Sequence, residues 1–358
     1  MPSTLPGRMV GYGAYNLCFD RLLGKKQDSP FADDFFAQIR RNNFRKINLV
    51  RVICFRHSRK EGHPETRATP LYITQTTPPP TPSTKVVVNP AFLDNLSRLV
   101  ARASETGFVV QVSIFHNQAL YFPPPDPNVL PETPELLPPD LTPFGGTACE
   151  RLKNFFNPRP QNPNQLVRQK ELVAAVVGAT KSAYNVIYEI GNELVFSRPP
   201  CKPPDNCALA EWMNLMRTEI FRVTGYVQTR HIGTSTGRNL LPNDPAPYET
   251  NEAEIFKTCP KKLVSPDYFD FHSGQWLNEA TGVTSMQDAI NRVKDYTGGR
   301  PLIINDDGAL GLRTPTNVEK WAREAFSKGL HYASKQSYPN GSGADFNFDV
   351  LRRLEGAA

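Results

Sequence analysis

Short apolar runs alternate along the chain with longer segments whose apolar residues recur at helical spacing. Eight of the short runs are rich in β-branched and aromatic residues, and several are almost continuously apolar, which is typical of strands covered on both faces. The predicted strands cover residues 9–15, 49–55, 109–115, 186–190, 231–235, 268–272, 302–305 and 330–334. Strands that alternate with helices indicate βα units, and eight such units predict an α/β fold, the (β/α)8 or TIM barrel.

Amphipathic segments between these strands supply the predicted helices. Examples cover residues 90–104, 165–182, 209–224 and 318–327. Asn89 followed by Pro90 suits the start of the first helix, and Asn164 suits the start of the second, because asparagine caps helix N-termini and proline is tolerated in the first turn. We therefore predict a single barrel domain over residues 1–358.

One long segment, residues 117–163, departs from this alternation. It follows the third predicted strand and is packed with prolines, as in FPPPDPNVLPETPELLPPDLTPF. A loop after a barrel strand lies on the C-terminal face, where barrel enzymes build their active sites. A wall of a substrate site is one interpretation of this insertion, and an inert decoration is the other. A shorter insertion, residues 239–266, follows the fifth strand on the same face.

Composition and charge narrow the class of protein. The 358 residues are 39% hydrophobic and 21% charged, which is typical of a globular protein with a large core. The net charge of +6 is spread along the chain without a nucleic-acid-reading motif, so we expect a solvated basic face and no nucleic-acid partner. No apolar run approaches about 18 residues, so we expect no membrane span.

The cysteines and histidines bear on metal binding, and the first residues of the chain bear on its cellular location. Six cysteines and six histidines show no zinc-ligand spacing, so we expect no metal and no other cofactor. Cys18 and Cys54 lie in apolar runs and are predicted to be buried thiols. Cys201 and Cys207 bracket a proline-rich loop, and their geometry decides whether they pair in an oxidising compartment. The first 15 residues lack the pattern of a signal peptide, so a secreted or periplasmic location requires a leader removed earlier, and the alternative is the cytoplasm.

The most specific chemical signal is the segment NVIYEIGNEL, residues 185–194. An apolar strand that ends in the adjacent pair Asn192 and Glu193 places an amide and a carboxylate together at the mouth of a barrel. Cleavage of a glycosidic bond needs a proton donor beside the leaving oxygen and a second carboxylate beneath the sugar ring. An amide beside the acid can hydrogen-bond a sugar hydroxyl. The alternative is a surface Asn–Glu pair after a buried strand.

With this motif, the sequence resembles the glycoside hydrolases of clan A, the cellulase-like (β/α)8 enzymes, over roughly residues 9–350. The resemblance implies that Glu193 is the general acid/base and that Asn192 is its sugar-binding neighbour. It also implies that an arginine on the second strand supports the nucleophile. The positions that match the other family residues are Arg51 on strand two, His116 and Asn117 at the end of strand three, and His272 on strand six.

The seventh predicted strand departs from the family pattern. The run PLIINDDG, residues 301–308, places Asp306 where the family carries a glutamate. Aspartate is one methylene shorter, which withdraws the carboxylate by about 1.5 Å. Retaining enzymes hold their two carboxyl groups about 5–5.5 Å apart, and inverting enzymes about 6.5–9.5 Å. Asp306 is therefore the nucleophile of a retaining site, which we favour, the general base of an inverting site, or part of a barrel that binds sugar without cleaving it.

Aromatic residues and competing enzyme classes complete the prediction. Trp276 and Tyr338, just past strands six and eight, either stack on sugar rings or pack in ordinary loops. The chain has no GxSxG elbow, P-loop, HExxH or GxGxxG turn, which disfavours other enzyme classes. We therefore predict a monomeric glycosidase that acts on an oligo- or polysaccharide. A carbohydrate-binding pseudoenzyme is the main alternative.

Overall fold

The computed structural model describes the backbone of residues 7–13, 22–23, 34–54, 69, 71–76, 84–116, 154–192, 194, 206–225, 231–236, 266–272, 300–306, 315–335 and 348–358. The strands in these ranges are β1 (Val10–Gly13), β2 (Leu49–Ile53), β3 (Tyr72–Thr76), β4 (Thr84–Val88), β5 (Val109–His116), β6 (Val186–Asn192), β7 (Ile232–Thr236), β8 (Tyr268–His272), β9 (Leu302–Asp306) and β10 (His331–Lys335). The helices are α1 (Phe35–Arg41), α2 (Pro90–Glu105), α3 (Pro163–Thr180), α4 (Asn206–Thr224), α5 (Pro315–Ser327) and α6 (Phe348–Ala357).

Eight strands form a closed parallel barrel in the order β1, β2, β5, β6, β7, β8, β9 and β10. The last strand closes the ring on the first, with Val10 opposite Tyr332 and Gly13 opposite Lys335. β3 and β4 form a separate antiparallel hairpin between β2 and α2. All eight predicted barrel strands are present, so the predicted (β/α)8 fold is confirmed.

The four predicted helices are also present, and the starts of α2 and α3 follow local capping. α2 begins at Pro90 after the cap Asn89, as predicted. α3 begins at Pro163 rather than at Asn164, because Asn162 is the cap and its Oδ1 accepts the Asn164 N–H at 3.1 Å. The β3–β4 hairpin, α1 and α6 are absent from the sequence-based prediction.

Two apolar clusters hold the barrel together. The larger cluster lies between the strands and the surrounding helices. The smaller one, which we call the bottom cluster, fills the interior at the strand starts and contains Met9, Leu49, Ile187, Tyr268, Ile303 and Ala333. It leaves no space for a side chain at Gly233, where an added Cβ would lie 2.3 to 2.6 Å from ring atoms of Tyr268.

The last part of the proline-rich insertion is anchored to the barrel by aromatic packing. Phe155 packs edge-on against Phe115 of β5, and Phe156 packs edge-on against Trp212 of α4. Gln169 of α3 links the group, because it donates to the Phe155 carbonyl at 2.7 Å and accepts from the Trp212 indole N–H at 2.8 Å. The insertion therefore returns to the barrel beside the C-terminal end of β5.

Several predictions fall on residues outside the described ranges. Residues 117–153 and 237–265, most of the two insertions, lie there, so their roles stay predictions. Cys54 is buried, as predicted. Cys18, Cys201 and the side chain of Cys207 lie outside the description, so the disulfide stays a prediction, as does the single domain.

In the described part of the chain, no helix is long and apolar enough to cross a membrane.

Candidate active site

The C-terminal ends of β5 and β6 bring two predicted site residues together. His116 ends β5 and Asn192 ends β6, and the two residues are paired in the sheet register. The side-chain nitrogen Nδ2 of Asn192 lies 3.0 Å from Nδ1 of His116. Both side chains are buried, with 2% of Asn192 and 7% of His116 exposed. The two side chains therefore form a polar contact at the rim where barrel active sites lie.

Arg51 of β2 connects this pair to a carboxylate deeper in the barrel. Its Nε and Nη2 donate to the two carboxylate oxygens of Glu189 on β6, at 2.7 and 2.5 Å. Nη2 also donates to the Asn192 Oδ1 at 2.7 Å. A planar guanidinium matches a carboxylate through two parallel hydrogen bonds, which fix its orientation as well as its position. Glu189 thus holds Arg51, and Arg51 holds Asn192.

Further polar side chains continue these contacts across the interior. Gln111 of β5 donates through Nε2 to Glu189 at 3.0 Å and to Asp270 of β8 at 2.5 Å. Asp270 also lies 3.4 Å from the Arg51 Nε and accepts from Asn305 of β9 at 3.3 Å. These five side chains are fully buried. The buried polar network comprises Arg51, Gln111, His116, Glu189, Asn192, Asp270 and Asn305.

Four members of the network, Gln111, Glu189, Asp270 and Asn305, are absent from the sequence-based prediction. Each is a polar residue inside an apolar strand, as in VVQVS, VIYEI, YFDFH and LIIND. In a strand, residues two apart point to the same face, so Glu189 shares its face with Ile187 of the bottom cluster. A polar residue at the inward position of an apolar strand is the signal that identifies such residues.

Tyr268 lies next to the carboxylates of this network. Burial raises the pKa of its phenol well above the ordinary value, and the negative charges of Glu189 and Asp270 raise the pKa further. The phenol therefore keeps its proton and donates to the Tyr188 carbonyl at 2.9 Å. A neutral hydrogen-bond donor and the apolar bottom cluster thus lie beneath the charged groups.

The other predicted site residues are described only in part or not at all. The backbones of His272 and Asp306 end β8 and β9, whereas their side chains lie outside the description. The predicted contact between Arg51 and Asp306 therefore stays a prediction. Among the described side chains, Arg51 contacts Glu189, Asn192 and Asp270. The residues wholly outside the described ranges are Asn117, Glu193, Trp276 and Tyr338.

The described side chains at the rim are suited to hydrogen bonding. Among the described side chains, no group of three or more histidine, cysteine, aspartate or glutamate residues is placed to hold a metal ion. The side chains at the rim, Asn192 and His116, are polar and held in place by neighbours. Such groups are suited to bind the hydroxyl groups of a polar ligand.

Comparison of the sequence with protein-family models and with curated proteins finds no match. The fold, in contrast, is similar to that of solved glycoside hydrolases. The endo-β-1,4-mannanase of Thermotoga petrophila matches with a TM-score of 0.60 and 13% identity, over 100% of this chain and 77% of that chain. A glycoside hydrolase family 5 enzyme of Prevotella bryantii matches with a TM-score of 0.55 and 13% identity, over 97% of this chain and 95% of that chain.

Endo-glycoceramidase II of Rhodococcus sp. matches with a TM-score of 0.58 and 13% identity, over 99% of this chain and 81% of that chain. These three proteins are clan A glycoside hydrolases. At this level of identity, the similarity concerns the fold. The chain therefore has the (β/α)8-barrel fold of the clan A glycoside hydrolases, as the resemblance in its sequence predicts.

Proposed function

We propose that this protein is a glycoside hydrolase that cleaves O-glycosidic bonds of an oligo- or polysaccharide. The observation that supports the proposal most directly is the chain of contacts from Glu189 through Arg51 and Asn192 to His116. It holds two hydrogen-bonding side chains at the C-terminal rim of a barrel, and one of them, Asn192, directly precedes Glu193 in the sequence.

In the proposed reaction, Glu193 and Asp306 are the two carboxylic acids. Glu193 protonates the leaving oxygen while the Asp306 carboxylate attacks the anomeric carbon, which gives a glycosyl-enzyme ester and a free alcohol. Glu193 then takes a proton from water, and the water oxygen displaces Asp306. β6 and β9 are parallel strands of one barrel, so their C-terminal ends lie at the same rim. Asn192 and His116 bind sugar hydroxyls beside the acid.

An inverting reaction is the second catalytic form, and the shorter side chain of Asp306 favours it. If the backbone is in the usual position, the shorter carboxylate widens the gap toward the separation that admits a water molecule. In that case Asp306 removes a proton from the water while the water attacks the anomeric carbon, and Glu193 protonates the leaving oxygen as the glycosidic bond breaks. The anomer formed first, measured by NMR during early hydrolysis, distinguishes retention from inversion.

A carbohydrate-binding pseudoenzyme is the other candidate, because Asp306 replaces the usual glutamate. Hydrolysis assays on nitrophenyl glycosides, β-1,4-mannan and xyloglucan separate the two, with calorimetry to detect binding. The polysaccharides are chosen because structurally similar proteins are an endo-β-1,4-mannanase and an enzyme in complex with xyloglucan. We expect wild-type turnover and a decrease of at least about 100-fold in Glu193→Gln and in Asp306→Ala.

Asp349→Ala is the matched control for the loss of a carboxylate. Asp349 lies on α6 and pairs with Arg352 at 2.7 Å on an exposed surface. Its removal should leave turnover unchanged. Binding without turnover by the wild type contradicts the hydrolase and supports the pseudoenzyme. Turnover that survives in both Glu193→Gln and Asp306→Ala contradicts the assignment of the two carboxylates.

A further inference from the structure

The contact between Arg51 and Asn192 determines which way the Asn192 amide faces. All five N–H groups of a guanidinium are donors, and it has no acceptor. The Asn192 atom 2.7 Å from the Arg51 Nη2 is the oxygen Oδ1, which is the acceptor that this contact requires. An amide turned the other way would place its NH₂ group against the guanidinium, donor against donor. The orientation of the amide therefore follows from chemistry as well as from the coordinates.

This orientation fixes the role of the His116 ring. The Asn192 Nδ2 faces the His116 Nδ1 at 3.0 Å, and an amide nitrogen only donates. The His116 Nδ1 must therefore accept, which requires a nitrogen without a proton. A neutral imidazole carries one proton, on one of its two nitrogens. The proton of His116 is consequently on Nε2.

Glu189 is the first residue in this series of hydrogen bonds, which continues through Arg51 and Asn192 to His116. Its carboxylate accepts two hydrogen bonds from Arg51, and both side chains are fully buried, so solvent does not compete for either group. The guanidinium is thereby held with Nη2 directed at the Asn192 oxygen. Each of these side-chain contacts permits only one direction of hydrogen bonding.

We infer that Glu189 is a positioning residue that, through Arg51 and Asn192, sets His116 as the Nε2–H tautomer. His116 then carries its hydrogen-bond donor on Nε2, at the rim of the barrel. A role of this N–H in binding a sugar hydroxyl rests on the proposed function, whereas the tautomer itself does not.

Nitrogen NMR of protein labelled with ¹⁵N-histidine tests the inference directly. The chain has six histidines, and His116→Gln identifies the His116 signals by their loss. In the ligand-free wild type at neutral pH, we expect a protonated Nε2 and an unprotonated Nδ1 for His116. A proton on Nδ1, alone or together with one on Nε2, overturns the inference.

Asn192→Asp reverses the polarity of the contact with almost no change of shape. A carboxylate only accepts, so both Arg51 and His116 must donate to it, and we expect the His116 Nδ1 to become protonated. Asn95→Asp is the control, because Asn95 is a buried asparagine on α2 that donates to the Thr69 hydroxyl at 3.0 Å. The control should leave the His116 signals unchanged. An unprotonated Nδ1 in Asn192→Asp contradicts the proposed sequence of contacts.

Glu189→Gln tests the positioning role. A glutamine places an NH₂ group against the guanidinium, so Arg51 loses one of its two bonds and its fixed orientation. We expect the single tautomer of His116 to be replaced by a mixture. Glu189→Asp, which keeps the charge but withdraws the carboxylate, should have the same effect and replaces Glu189→Gln if circular dichroism shows that variant to be unfolded. An unchanged single tautomer in the folded variant shows that Glu189 does not position His116.

These spectra need no substrate, so the two proposals fail separately. An Nε2–H tautomer in a protein without hydrolytic activity keeps the inference and removes the proposed function. Sugar hydrolysis by a protein whose His116 carries its proton on Nδ1 supports the proposed function and overturns the inference.

Discussion

Arg51 brings a positive charge into the barrel interior, where it meets the carboxylates of Glu189 and Asp270. Moving charged groups from water into a protein interior is costly, and the hydrogen bonds between them offset that cost. Such a group stabilises the fold only while its members remain together. The stability of the protein should therefore depend more on each charged member of this network than on a charged residue at the exposed surface.

Arg51→Met should destabilise the protein strongly. The methionine fills part of the space but leaves the carboxylates of Glu189 and Asp270 buried without their guanidinium. We expect the free energy of unfolding to fall by about 3–5 kcal/mol, the usual effect of removing one partner from a buried ion pair. Urea denaturation followed by circular dichroism measures this change.

Arg352→Met provides the comparison at the surface. Arg352 pairs with Asp349 at 2.7 Å, and both side chains are more than half exposed. Exposed pairs contribute little because solvent screens them. We expect no measurable change in urea stability, and equal losses in the two variants would contradict the importance of burial.

At the scale of elements, the packing inside the barrel depends on glycines where neighbouring strands carry large side chains. Gly233 of β7 lies opposite Tyr268 of β8 in the register, and the tyrosine ring occupies the space where a side chain would be. Gly178 of α3 is different, because it is exposed and no atom lies within 4 Å of an added Cβ. Replacement of glycine by alanine should therefore lower stability at position 233 and raise it at position 178.

Gly233→Ala should lower the free energy of unfolding by about 3 kcal/mol, because the Tyr268 ring must move within a packed interior. Gly178→Ala should raise it by about 0.5–1 kcal/mol, because alanine is the better residue inside a helix. Thermal unfolding of both variants beside the wild type measures the two shifts. A stable Gly233→Ala variant would show that the ring of Tyr268 is free to relocate.

At the scale of the whole molecule, the barrel is closed where its first and last strands meet. The Met9 N–H, just before β1, donates to the Nδ1 of His331 at the start of β10, at 3.0 Å. Burial, and to a smaller extent the positive charge of Arg8, lowers the pKa of His331 from 6.5 to about 4. The contact needs the neutral imidazole, so acid should weaken the closure.

The direction of this pH dependence follows from the pKa of His331 in the unfolded chain, 6.5, and in the folded protein, about 4. Between pH 6.5 and about 4 the unfolded chain binds a proton at His331 and the folded protein does not. The contribution to stability is complete above pH 6.5 and is lost as the pH falls toward 4, by at most about 3 kcal/mol. His331→Asn keeps an acceptor for Met9 but does not titrate, so urea midpoints measured from pH 7 to 4 should decrease less than in the wild type.

His231, before β7, also has a pKa lowered by burial, which Asp267 partly opposes. Some pH dependence should therefore remain in His331→Asn, and His231→Asn should remove a further part. The explanation by closure of the barrel would be wrong if His331→Asn followed the wild-type curve.

Much of the architecture could be predicted because its signals are local. The apolar runs around Val50, Val110 and Ile187 determine the strands, and Asn89 before Pro90 determines a helix start. Eight apolar runs, with helical segments between several of them, were enough to predict the barrel. The misplaced start of α3 has a local cause as well, since Asn162 and Asn164 are both suitable caps and the chain uses the first.

In the candidate site, Asn192 and His116 could be predicted because they end strands, and Arg51 could be predicted from the resemblance to the family. Which polar groups meet inside the barrel depends on closure. Gln111 and Asp270 are 159 residues apart in the chain, yet they form a hydrogen bond across the interior. The amino-acid sequence by itself determined the elements and the ends of the strands, because those depend on neighbours in the chain. Only the tertiary structure decided that Glu189 holds Arg51, because curvature and register bring distant strands to one point.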